Sequence, residues 1–246
     1  MDNVRGSNPM LQEKIFERAT RSNKVMSING TVNKLIVLLT LFLIMAGISW
    51  YSFPLFDFAV FVFFTVISFI LGITTSFKPR LSPFTTPVYV TLEGLSIGFL
   101  SRHFDMKCKG IVLQAVLLTI AVFAIMLFIY KFRIIKVDNG IVKWITLVTG
   151  SIALVYLIDL FLMFFGINVS FLHSNGWVGI LINLFVVGVA AFNFLGDFYF
   201  IEEAARRQAP KYMEWYLSFS VFLTIVWLYL EILKLLAKLN SRKKSK

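Results

Sequence analysis

The sequence predicts an all-α integral membrane protein of seven transmembrane helices. Three observations carry that reading. Hydrophobic residues are 58 % of the 246 and charged residues 15 %, against roughly 45–50 % and about 25 % in soluble domains. A soluble fold has nowhere to put that apolar surplus, whereas lipid can cover the outer faces of helices. Seven mostly apolar runs follow one another, most of them about the twenty residues that a span needs. The basic residues behind the net charge of +11 gather between these runs and at the two ends. Positive-inside anchoring and anionic head groups place them there, so the charge is read as a membrane feature and not as a nucleic-acid one.

The elements follow in order. Residues 1–34 form a polar N-terminal segment. Within it, residues 7–24 set Leu11, Ile15, Phe16 and Ala19 against Lys14, Arg18 and Arg21. That pattern fits a helix lying in the interface; a disordered tail is the open alternative. The first apolar run starts only near Leu35, so no cleavable leader is expected. The transmembrane domain is read as 35–239. Its spans fall at about 35–53, 56–76, 85–100, 110–130, 141–167, 179–199 and 217–236. A polar turn with two prolines, 77–83, separates the second from the third. Residues 240–246 are a basic tail. The single Cys108 leaves no intrachain disulfide.

Lys and Arg counts set the orientation. With the N-terminus inside, the inner segments 1–34, 77–83, 131–143 and 201–212 carry six, two, four and three. The outer loops 54–55, 101–109 and 168–178 carry none, three and none. The bias places the N-terminus in the cytoplasm. The tail opposes it: Lys234, Lys238, Arg242, Lys243, Lys244 and Lys246 would end outside. Seven spans are preferred to a re-entrant last helix.

An unpaired charge at the bilayer centre costs from about 2.5 to more than 10 kcal/mol. Acids inside spans are therefore candidate sites. Asp57 lies at the start of the second span and reads as an interface residue. Glu93 lies in the third, beside a Gly94/Gly98 step that lets another helix approach closely. Asp159 lies in an apolar stretch of the fifth and needs a partner that the sequence does not name. Asp197 and Glu231, in the last two spans, are the most informative pair. Two carboxyls meeting between helices cannot both ionise cheaply and titrate as one unit. Such a pair is a proton-sensitive latch or a hard-oxygen site for a cation such as calcium. The alternative pairs Glu231 with Lys234, one turn on. Geometry sets a condition. A symmetric hairpin centred near Pro210 leaves the two acids roughly 12 Å out of register. They meet only if part of 201–216 lies along the membrane surface.

No H-E-x-x-H, G-x-x-x-x-G-K, G-x-S-x-G or cysteine cluster is present, so no catalytic constellation supports an enzyme. His103 and His173 are expected in loops, and two histidines assign no metal site.

Several stretches resemble the Bax inhibitor-1 family, in particular its bacterial YccA-like branch. They are Thr86-Pro87-Val88-Tyr89 with Leu92-Glu93-Gly94-Leu95, Gly110-Ile111-Val112-Leu113-Gln114-Ala115, and Arg133-Ile134-Ile135-Lys136. Two more are Ala209-Pro210-Lys211-Tyr212-Met213-Glu214-Trp215-Tyr216 and Trp227-Leu228-Tyr229-Leu230-Glu231-Ile232-Leu233. The resemblance implies six helices around a central C-terminal one, in a bacterial inner membrane. It also implies a pH-sensitive calcium leak, opened through an acidic latch in the last two helices. The family's Asp in Asp-Phe-Tyr falls on Asp197, and its second latch Asp falls on Glu231. The family's basic latch partner has no clear counterpart; Lys78 and Arg80 are the nearest cations.

Two functions compete. One is a proton-gated cation leak that takes calcium transiently and holds no resident cofactor. The other is a non-transporting regulator that binds another membrane protein, such as a membrane-anchored protease.

Overall fold

The computed structural model describes residues 25–52, 58–166 and 176–244. Among them are seven α-helices and one 3-10 turn, and the protein is an all-α membrane protein. The helices are α1 (Ile28–Tyr51), α2 (Phe58–Phe77), α3 (Ser82–Lys107), α4 (Ile111–Lys131), α5 (Asn139–Phe164), α6 (Trp177–Arg206) and α7 (Met213–Lys244); the 3-10 turn is Pro79–Leu81. Six are long and apolar enough to cross a membrane. The seventh, α3, has 26 residues, about 39 Å of helix, but is more polar. The segment 7–24, Asp57 and His173 lie outside the described residues.

Local chemistry sets the helix ends. Helix α1 starts seven residues before its predicted span, because Ser27 caps it by accepting a hydrogen bond from the Gly30 amide. Helix α5 is capped the same way by Asp138, which accepts from the Ile141 amide. The 3-10 turn opens on Pro79, where no amide is needed. Helix α3 runs on past the apolar stretch that predicted it. His103 is therefore an exposed helical residue and not a loop residue.

The chain forms two compact units. The first holds the described residues up to 106 and those of 199–223. In it, α1 lies against the glycine face of α3. A Cβ on Gly94 would sit 2.8 Å from Met45 Cβ and 2.9 Å from the Phe42 carbonyl oxygen. One on Gly98 would sit 2.8 Å from Ala46 Cα. Only glycine allows that approach. The start of α7 packs on the same pair of helices: Tyr89 of α3 meets Phe219 edge-on, at 5.1 Å between centroids, and Phe42 of α1 meets Phe222 at 5.3 Å.

The second unit holds the described residues of 107–198 and those from 224 on. Phe123 of α4 packs edge-on against Phe194 and Phe198 of α6. Thr149 of α5 is hydrogen-bonded to Asn193 of α6 through their side chains. Helix α7 contributes to both units and is the most buried span. Of its most apolar stretch 56 % is buried, against 6–39 % in the other five spans.

Candidate functional site

Three spans of the second unit bury a carboxyl: Asp159 on α5, Asp197 on α6 and Glu231 on α7, exposed to 8 %, 7 % and 1 %. Glu231 takes hydrogen bonds from three side chains. Its Oε1 accepts from the Tyr156 hydroxyl at 3.1 Å and from Lys234 Nζ at 2.9 Å. Its Oε2 accepts from Asn183 Nδ2 at 2.8 Å. Asn183 also reaches the Glu231 carbonyl, at 3.2 Å. Three helices thus converge on one carboxylate. The i,i+3 spacing puts Lys234 on the same face of α7 as Glu231. The Lys234 ammonium also lies 5.1 Å from the centre of the Tyr156 ring. Asp159 follows Tyr156 by one turn and is electrostatically coupled to its hydroxyl.

Asp197 has a different partner. Its Oδ2 accepts from Thr224 Oγ1 at 2.6 Å. Thr224 precedes Glu231 by seven residues, about 10 Å along α7, and Asn183 precedes Asp197 by fourteen, about 21 Å along α6. The two carboxyls therefore occupy successive levels of the α6–α7 hairpin. The hairpin leaves Asp197 out of register with Glu231, as a turn centred near Pro210 requires. Helix α6 runs unbroken to Arg206 and α7 begins at Met213. Most of 201–216 is thus transmembrane-helix end and not a path along the surface. The short turn brings the chain round at Gln208, with φ 53, and the antiparallel register sets Asp197 opposite Thr224.

Glu93, in the first unit, is half-buried at the twelfth residue of α3. The Ser68 hydroxyl of α2 lies 2.7 Å from its Oε2, and the Tyr89 hydroxyl bonds the same carboxyl. Gly94 and Gly98 beside it receive α1, as described above.

A further polar cluster was not anticipated as a site. Glu214, in the first turn of α7, is fully buried. Its carboxylate accepts from the Ser27 amide at 2.9 Å, from Lys211 Nζ at 2.7 Å and from Lys34 Nζ. Gly30 leaves the room for it: a Cβ there would overlap the carboxylate. Beside it Met26 donates its amide to the Ala209 carbonyl at 2.8 Å. These bonds tie the entry to α1 to the start of α7. Its signal was Lys34, a lone cation just before an apolar run, with a carboxyl in Lys211-Tyr212-Met213-Glu214.

A family model described as Bax inhibitor 1 like matches residues 8–241, nearly the whole chain. The chain belongs to that family. No curated protein matches it significantly. In this Bax inhibitor 1 like protein, Asp197 and Glu231 stand on the two last helices with separate partners, and the cation beside Glu231 is Lys234 of its own helix. Among the described residues, no group of three or more His, Cys, Asp or Glu side chains comes together. The carboxylate and hydroxyl oxygens at Glu231 are hard donors of the kind that calcium takes.

Proposed function

We propose that the protein is a pH-sensitive cation leak of a bacterial inner membrane, with calcium the expected ion and the N-terminus in the cytoplasm. It is read as a transport protein and not an enzyme. The observation that carries this is Glu231, a carboxylate buried within an apolar span and neutralised by one tethered ammonium. A mobile cation can replace Lys234 only if the ion pair opens, and protonating Glu231 removes the attraction that keeps it closed. Asp197 of α6, whose partner Thr224 lies two turns before Glu231 on α7, supplies a second carboxylate on the same hairpin. Protonation thus acts on two successive levels in place of one shared latch.

Ion flux into proteoliposomes across pH tests it. Combining Asp197→Asn with Glu231→Gln is expected to abolish the pH dependence of flux. Flux and pH profile identical to the parent would end this reading.

One observation favours the second reading, a non-transporting regulator of another membrane protein. Lys234, Lys238 and Arg242 recur every four residues along one face of α7, and a cation passing that end would be repelled. Co-purification of one defined membrane protein together with liposomes that carry no flux would select the regulator.

A further inference from the structure

Glu93 belongs to neither level of the α6–α7 hairpin. It lies halfway along α3, next to Ser68, halfway along α2. On its own helix the nearest titratable group is Tyr89. From α2 come Ser68 and, beneath it, the Thr65 carbonyl. From α1 come Phe42, Met45 and Ala46 against Gly94 and Gly98. From α7 come Phe219 and Phe222, against Tyr89. None of these bears a full charge, and among the described residues no cation pairs with Glu93.

A serine hydroxyl has one hydrogen. Ser68 Oγ lies 3.1 Å from the Thr65 carbonyl and 2.7 Å from Glu93 Oε2, two acceptors if Glu93 is ionised. If Glu93 is a neutral acid, each hydrogen is used once. Tyr89 donates to the carboxyl, Glu93 donates to Ser68, and Ser68 donates to Thr65. The relay also removes an unpaired charge from mid-span, where it is most costly.

We propose that Glu93 is a proton-binding site of the first unit, occupied in the state described and separate from the carboxyls of α6 and α7. Its place gives the proton a consequence. The next residue, Gly94, is where α3 touches α1 backbone to backbone. Loss of the proton puts a charge one residue from that contact, and water drawn to the charge loosens it.

The site has a chemical signature independent of transport. Dicyclohexylcarbodiimide dissolves in lipid and adds to protonated carboxyls. The acid proton passes to one reagent nitrogen and the carboxyl oxygen bonds the central carbon. Acyl transfer to nitrogen then gives a stable N-acylurea, with no leaving group. Glu93 is half-buried, whereas Asp159, Asp197 and Glu231 are buried. Native membranes treated at neutral pH are expected to yield the adduct on the Glu93 peptide. The yield should fall as pH rises, vanish in Glu93→Gln, and persist when Asp197→Asn and Glu231→Gln are combined. Infrared spectra of the same membranes should lose a protonated-carboxyl band in Glu93→Gln. Ser68→Ala, which removes the acceptor of the acid proton, should move that band to higher frequency. The proposal is overturned if Glu93 gives no adduct at any pH, or if Glu93→Gln removes only carboxylate intensity. Neither readout depends on flux, so it stands or falls apart from the leak.

Discussion

Replacing Gly98 by alanine tests the α1–α3 contact with a single methyl group. Its Cβ would lie 2.8 Å from Ala46 Cα and 2.9 Å from the Ala46 carbonyl carbon. Carbon atoms in contact prefer about 3.5–4.0 Å, so α1 must retreat by about 1 Å. The obstacle is backbone and has no rotamer to escape into. Overpacking of this kind costs about 1–3 kcal/mol, and the upper half of that range applies here. Alanine returns about 1 kcal/mol of helix propensity. The net loss is then about 1–2 kcal/mol, or a Tm lower by roughly 2–8 °C in a chain of this size. Gly94→Ala meets Met45 Cβ at 2.8 Å and the Phe42 carbonyl oxygen at 2.9 Å and should cost as much. One retreat of α1 serves both, so the double variant should lose less than the sum. Gly150 on α5 has open space within 4 Å, and Gly150→Ala should gain up to about 1 kcal/mol. Thermal unfolding of detergent-solubilised protein, followed by size exclusion, measures all four. A Gly98→Ala variant as stable as Gly150→Ala would refute the close approach.

Three further outcomes are expected. Lys234→Met leaves Glu231 without its cation and should raise cation flux at neutral pH; unchanged flux in liposomes would count against the tethered-cation mechanism. Glu214→Gln leaves the largely buried Lys34 without its counter-charge and should cost about 3 kcal/mol, read as a drop in Tm that salt does not restore. Thr224→Val should destabilise the parent but not a chain already carrying Asp197→Ala, since the hydrogen bond at 2.6 Å joins the two; equal effects in both backgrounds would show no coupling.

The spans were legible because twenty apolar residues have one structural use in a bilayer. Their ends were less so. Hydropathy stops at the first polar residue, whereas α1, α3 and α7 continue through polar turns that find partners. Asn29, Gly30 and Lys34 look like a flank, yet they are helical because Ser27 caps them and Glu214 receives Lys34. The acids themselves stood out against apolar neighbours, but their surroundings did not. Asn183 and Tyr156 are uncharged and pass a search for acids unnoticed. Only the tertiary register of α5, α6 and α7 reveals that both point at Glu231. The same register decides that Asp197 meets Thr224, since each residue of helix that replaces surface path moves the pairing by about 1.5 Å.

The basic end of α7 bears on how the chain is made. Its six cations counted against a seventh crossing. Three of them are engaged within the fold: Lys234 by Glu231, Lys238 by the Gly179 carbonyl at 3.1 Å, and Arg242 over the Trp177 ring at 3.7 Å. All of these partners except Glu231 belong to α6, which leaves the ribosome earlier. Helix α7 thus enters the membrane last, beside a helix already furnished with a carbonyl and an indole for its cations. Charge-counting rules treat each segment as though it inserted alone. Here half of that positive charge has partners within the fold to dock against.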